Sequence, residues 1–295
     1  MFTAAAVKEY AKQCGADLVG IASMDRFEGA PRQCDPRSIF PDAQVMVVMA
    51  FRIPRGALRG IEEGTFYTAY SGMGYAGINW VLQPVVLWKV TSFLEDNGYE
   101  AVPIPNTFPW CHINTRTGEA QPAWSRPVSP GKPAPDVFLH LRIAAFAAGL
   151  GEIGWAKVFL TPEFGPRQRL AAIITDAPLE ADPLFEGKIC DRCMLCARDC
   201  TGEAISTTES VKVTVAGREL EWGKIDIEKC AEAFQWPPPE HNPFLKEPSP
   251  IYVYGRALEG ARGCIRACMI HLEETGRMSR TFENPFRKRT PWRIE

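Results

Sequence analysis

Apolar residues fall along this chain in short periodic blocks punctuated by glycine and proline. Over residues 4–14 Val7, Tyr10 and Ala11 share one face and Gly15 supplies a stop, which predicts a helix followed by a strand from Leu18 to Ala22. Val45 to Phe51 is a continuous valine-rich run, short enough for a strand buried on both faces. Gln83 to Asn97 predicts a helix with Pro84 in its first turn, closed by Asn97-Gly98 before a further apolar stretch from Ala101 to Ile104. Leu170 to Thr175 predicts another buried strand.

This alternation of helices and strands argues for an α+β fold with mixed α/β layers. The expected division is a core over residues 1–185, a module of short helices and loops over 186–275 and a basic tail over 276–295. Two proline-dense stretches interrupt the plan, at 103–135 and from Pro237 to Pro250. Phe108, Trp110 and Trp124 in the first favour an ordered lid.

Composition narrows the class. With 46% hydrophobic content in 295 residues the chain can bury one large core or two modest ones, which excludes disordered and fibrous classes. A formal net charge of -2 gives no bulk reason to expect nucleic acid or an anionic membrane as partner. The local exception is the tail, where Arg277, Arg280, Arg287, Lys288, Arg289 and Arg293 crowd around Trp292 and either meet phosphate or dock onto the fold. No run spans a bilayer, and Met1 to Ala11 shows neither a twin-arginine pair nor an apolar signal core, so a cytoplasmic protein without membrane contact is expected.

Chemistry enters with the cysteines. Cys190, Cys193, Cys196 and Cys200 are spaced C-x2-C-x2-C-x3-C, a run that wraps an iron–sulfur cluster with three thiolates and turns the fourth toward a second cluster. Cys230, Cys264 and Cys268 follow downstream. A zinc site would place two C-x2-C pairs well apart, and a disulfide framework suits short secreted chains. Cys14, Cys34 and Cys111 lie far upstream and read as packing or surface thiols. The four histidines, His112, His140, His241 and His271, read as surface or packing residues.

Before the run, Gly149, Gly151 and Gly154 form G-x-G-x-x-G after an alanine-rich helical stretch, not between a strand and a helix, so the dinucleotide reading is rejected. These glycines instead end a helix and let the backbone approach a large flat ligand or another backbone.

Here the chain resembles the iron–sulfur, corrinoid-dependent reductases that include epoxyqueuosine reductase and the reductive dehalogenases. The matching residues are Ala148-Gly149-Leu150-Gly151, Ile153-Gly154, Thr161 through Pro166, Arg169-Leu170, Thr175-Asp176 and Pro178-Leu179, followed by the cysteine run. They cover about 60 residues closely, and Asp17-Leu18-Val19-Gly20-Ile21 looks similar too. The resemblance implies a nitroreductase-like core holding cobalamin without a protein axial ligand, beside a ferredoxin-like two-cluster module. The absence of D-x-H-x-x-G agrees with it.

It further implies that Cys190, Cys193, Cys196 and Cys268 hold one four-iron cluster and that Cys200, Cys230 and Cys264 hold the other. The second set numbers three because Ala261 stands where the family has a thiol. That cluster is then three-iron, or a four-iron cluster with a ligand from Cys14, Cys34, Cys111 or a non-cysteine donor. Asp136 lies near the position of a catalytic aspartate, one residue out of register, and Tyr67, Tyr70 and Tyr75 are rival proton donors or loop tyrosines packing their rings. Gly149, Gly151, Gly154, Phe164 and Gly165 are the cofactor-side residues the resemblance implies. Arg142, Arg167 and Arg169 anchor corrin amides or an acidic substrate, or pair with surface acids.

Three readings follow. One is a cytoplasmic corrinoid reductase of a small organic substrate, served by an external donor such as ferredoxin or flavodoxin. The second is an electron-transfer protein that keeps the clusters without the corrin. The third is a tRNA epoxyqueuosine reductase, opposed by the unmatched Asp136, by Ala261 and by the short stretch after the clusters. Sequence leaves the substrate and the oligomeric state open.

Overall fold

A computed structural model describes residues 2–66, 68–106, 128–131, 137–230 and 261–290. Helix α1 (Ala4–Cys14) is capped by the Thr3 hydroxyl, which accepts from Ala6 N at 3.2 Å, and ends at Gly15. Strands β1 (Leu18–Ser23) and β2 (Val45–Arg52) follow, then a short helix α2 (Arg59–Glu63). A wide, π-type helix over Ala69–Leu82 runs directly into α3 (Gln83–Asp96), and β3 (Ala101–Ile104) leads back to the sheet. The wide helix corrects the expectation of loop tyrosines, because Tyr70 and Tyr75 are helical and buried. Tyr67 lies outside the described residues.

Beyond the first proline-dense stretch come α4 (Leu141–Ala147), the short strands β4 (Glu152–Ile153) and β5 (Phe159–Leu160), and β6 (Gln168–Thr175). The main sheet has the order β1-β2-β6-β3 with every neighbour antiparallel. Side chains alternate across it. Val45, Val47, Met49 and Phe51 face a core with α1 and α3, while Met46, Val48 and Ala50 face a second core with α4. The continuous apolar run of β2 therefore reflects burial on both faces, as expected. Gly20 in β1 is what admits α4, since a Cβ there would lie 2.3 Å from the Ala148 carbonyl oxygen.

After Cys190 the chain holds α5 (Leu195–Arg198), a long ribbon of β7 (Ile205–Val215) and β8 (Arg218–Ile225), and α6 (Arg266–Glu274). The ribbon corrects the expectation of helices and loops alone in this region. Ala216 and Gly217, both at positive φ, form its tight turn, and Leu220 and Trp222 pack into the second core. The tail docks rather than standing free. Arg287 and Arg266 both bind Glu62 of α2, Arg289 reaches Glu63, and Arg55 and Arg59 lie over the rings of Phe282 and Phe286. Among the described residues no helix is long and apolar enough to cross a membrane.

Candidate metal centre and adjoining cavity

The cysteine run starts at a fixed point. One carboxylate oxygen of Glu152 accepts the backbone N–H groups of Ile189, at 2.6 Å, and of Cys190. Arg192 and Met194 then take positive φ (59° and 61°), uncommon for residues with a Cβ, which curls the loop back on itself. As a result Cys190, Cys193 and Cys196 line one small cavity together with Cys264 and Cys268 from the other end of the module. Gly154 belongs to this wall, for a Cβ on it would sit 3.6 Å from Cys190 Sγ. His271 of α6 bonds Asp191 at 2.8 Å and so ties the Cys268 helix to the loop. Oxygen, sulfur and nitrogen donors of Asp191, Cys193 and His271 lie within 4.8 Å of one another, a grouping that could hold a metal ion. His140 instead caps α4, its Nδ1 accepting from Ile143 N at 3.3 Å.

The other cysteines converge through backbone contacts. Asp226 N donates to Ala204 O at 2.8 Å, which brings the turn bearing Cys230 to the chain just after Cys200. Gly263 abuts the same place, since a Cβ on it would lie 3.4 Å from Cys200 Cα. Ala204 N also donates to Cys200 Sγ at 3.4 Å. Burial first, then the neighbouring sulfurs Cys200, Cys196 and Cys230, push the Cys264 thiol up to about 12. Burial with Cys190 and Cys193 does the same to Cys196, again to about 12. Sulfurs crowded in this way are neutral thiols until a cation replaces their protons, and such a donor set fits soft-metal or cluster binding. Cys14 closes α1 and packs on the first core, and Cys34 lies in a separate short turn near Lys157, so neither joins a set. Cys111, His112, His241 and Asp136 lie outside the described residues.

Beside the second set is the largest of the described cavities, about 580 Å³ and open to solvent. Its described walls include Tyr75, Phe138, His140, Arg142, Gln168, Arg169 and Ile265 and contain no carboxylate. Arg169 lies 4.2 Å over the Tyr75 ring and donates to the Tyr70 hydroxyl at 3.3 Å, while its Nε is buried without a hydrogen-bond partner. Burial raises the Tyr70 phenol above its ordinary value despite the opposing pull of Arg169, which keeps it protonated. Arg142 lines the cavity, and Cys264 and Cys230 are among the charges that act on it, so it stands between the cavity and the second set.

The remaining residues singled out from the motif sit elsewhere. Cβ atoms on Gly149 and Gly151 would lie 2.0 Å from the carbonyl oxygens of Pro183 and Leu160, so here the close approach is to another backbone. Phe164 is a core residue, and Gly165 faces Met278. Arg167 is buried, donating to Ile53 O at 2.6 Å and facing the ring of Phe282 in the tail. Of the three candidate arginines, Arg142 and Arg169 line the large cavity and Arg167 does not.

The fold is that of the reductive dehalogenases. A solved catabolic reductive dehalogenase overlaps 92% of this chain and 36% of its own at TM-score 0.56 and 20% identity. Sequence agrees: the tetrachloroethene reductive dehalogenase of Sulfurospirillum multivorans is 37% identical over 93 residues, covering 29% of this chain and 18% of that protein. Its counterpart from Desulfitobacterium hafniense is 32% identical over 131 residues, covering 43% and 18%. The chain thus spans less than a fifth of the length of these curated relatives. No protein-family model matches it. The resemblance drawn from the motifs is real, and the chain is related to the iron–sulfur, corrinoid-dependent reductases. An epoxyqueuosine reductase solved with a tRNA stem loop overlaps more loosely, at TM-score 0.47. The absence of a nucleic-acid partner stays an expectation.

Proposed function

We propose that the chain is a cytoplasmic, cobalamin-dependent iron–sulfur oxidoreductase that reduces a small organic substrate. The observation that carries this reading is the adjacency of two thiol sets to one large cavity walled by Tyr75, Arg142 and Arg169. Residues 1–185 would form a nitroreductase-like core, 186–275 a ferredoxin-like module and 276–295 a docked tail. Cys190, Cys193, Cys196 and Cys268 would hold a four-iron cluster, and Cys200, Cys230 and Cys264 a second one. Cys193 is exposed, which is where an external donor such as ferredoxin or flavodoxin would deliver electrons.

The large cavity fits a bulky planar group, and a structure of a reductive dehalogenase has been discussed in terms of B12-dependent dehalogenation. Bound there, cobalamin would supply two-electron reduction at carbon. The protein's own part is proton supply and orientation. Tyr75 faces the cavity with Arg169 over its ring, an arrangement that holds the phenol in place as the proton donor. Tyr70 sits behind it on the same guanidinium. Asp136 and Tyr67 remain rival donors. Arg142 and the unpaired Arg169 Nε would orient an anionic substituent. A catabolic reductive dehalogenase of this fold has been solved with 3-bromo-4-hydroxybenzoic acid.

The test is anaerobic reconstitution with iron, sulfide and hydroxocobalamin, followed by metal analysis and electron paramagnetic resonance. Iron for two clusters and one cobalt per chain, without the signature of a nitrogen axial ligand, is expected. Two clusters without cobalt would replace this reading with that of an electron-transfer protein.

A further inference from the structure

Among the described residues the second thiol set offers three sulfurs, one short of the four that a four-iron cluster takes. Cys200, Cys230 and Cys264 converge, since a Cβ on Gly263 would lie 3.4 Å from Cys200 Cα and Asp226 N donates to Ala204 O at 2.8 Å, while Cys264 also lines the cavity of the first set. Ten cysteines exist in the chain, and Cys14 and Cys34 are held in other parts of the fold. In the sequence, the position three residues before Cys264 is Ala261, which offers no ligand atom. Ile265, next to Cys264, lines the large cavity together with Arg142 and Arg169. Those two cations meet no carboxylate among the described cavity walls, and Arg169 Nε has no hydrogen-bond partner.

We propose that the second set holds a four-iron cluster through three thiolates and leaves one iron open to a small anionic donor, such as a thiolate, drawn from the cavity. This deepens the reading above and rests on its two-cluster part. A four-coordinate metal short of one protein ligand keeps that position for an exogenous one, and the two guanidiniums favour an anion in it. An iron without a protein tether is also the one lost on oxidation. Removal of one electron by ferricyanide and dissociation of one Fe²⁺ converts [4Fe–4S]²⁺ into [3Fe–4S]⁺, with charge balanced.

The experiment is Mössbauer and electron paramagnetic resonance spectroscopy of the reconstituted full chain, titrated first with ferricyanide and then, in a separate sample, with 2-mercaptoethanol. Wild type is expected to release about one iron per chain with the signal of an oxidised three-iron cluster, and to recover on addition of Fe²⁺ and thiol. The thiol should shift one iron site of the intact wild-type cluster. Ala261→Cys should resist both effects, and Cys111→Ala should behave as wild type. If Ala261→Cys fails to fold, the thiol titration of wild type decides alone. Wild type that keeps all its iron and ignores the thiol overturns the proposal, as does a Cys111→Ala protein that alone becomes labile. Loss of cobalt with both clusters intact would instead count only against the corrinoid reading.

Discussion

His140 shows how a single side chain couples the cavity to pH. Burial first, then the charges of Arg142 and Lys157, lower its pKa from 6.5 to about 4. Its ring is therefore neutral when folded, as its acceptor role at the start of α4 requires. In the unfolded chain the same ring takes up a proton near 6.5, so the unfolded state binds more protons between pH 6.5 and 4. Stability is full above that window and falls as pH drops through it, by at most about 3 kcal/mol. His140→Asn keeps a capping acceptor and removes the titration, and denaturant unfolding across the window should show a flatter pH profile than wild type. Tyr75 acts on turnover instead. Tyr75→Phe keeps the ring under Arg169 and removes the proton, so activity of the reconstituted enzyme should fall about 100-fold or more at unchanged iron and cobalt content.

Among the elements, the link from α4 to β4 is the most constrained. Gly149 has φ 73° and would place a Cβ 2.0 Å from the Pro183 carbonyl oxygen, backbone against backbone. Gly98, after α3, has φ 87° but open space around it. Ala at Gly98 should therefore cost about 1 kcal/mol from conformation alone, while Ala at Gly149 adds a clash and should cost about 3 kcal/mol or more in chemical denaturation. These glycines also show what a sequence conveys. Their need for close approach was legible, but whether a ligand or a carbonyl stands opposite is a tertiary fact. Strands β2 and β6 were legible because both faces are buried and the apolar run is unbroken. The β7–β8 ribbon carried its own signal, alternating Val211, Val213 and Val215 before Ala216-Gly217, yet the nearby cysteines drew the reading toward loops. The wide helix was hidden by Gly72, Gly74 and Gly77, which have low helix propensity but allow close packing, as where Gly74 meets Tyr70 and Ile53. At the site, the spacing of the run foretold that its first three thiols would gather around one cavity. Nothing local foretold that Arg169 would face the cavity while Arg167, just before β6 begins, would turn to Ile53.

At the scale of the whole molecule, the core and the cysteine-bearing helix are joined by buried charge. Glu62, 5% exposed at its side chain, bonds Arg287 at 2.7 Å and meets Arg266 at 3.2 Å, and Arg266 is itself 4% exposed. Arg266 stands in α6 between Cys264 and Cys268 and donates to the Ile61 carbonyl at 3.0 Å, so α2, α6 and the tail share one carboxylate. Removing that carboxylate strands a guanidinium away from water, a loss of about 3–5 kcal/mol. Glu63 offers the contrast. Its partner Arg289 is 72% exposed, and Glu63→Gln should cost less than about 1 kcal/mol. Denaturant titration of Glu62→Gln and Glu63→Gln side by side measures the difference. The effect should extend to the thiol sets, because α6 carries Cys268 and the helical segment that runs directly into it carries Cys264. Glu62→Gln should lose iron to a chelator several-fold faster than wild type while Glu63→Gln does not. Equal rates in all three proteins would mean that the clasp holds the tail without holding the cysteines.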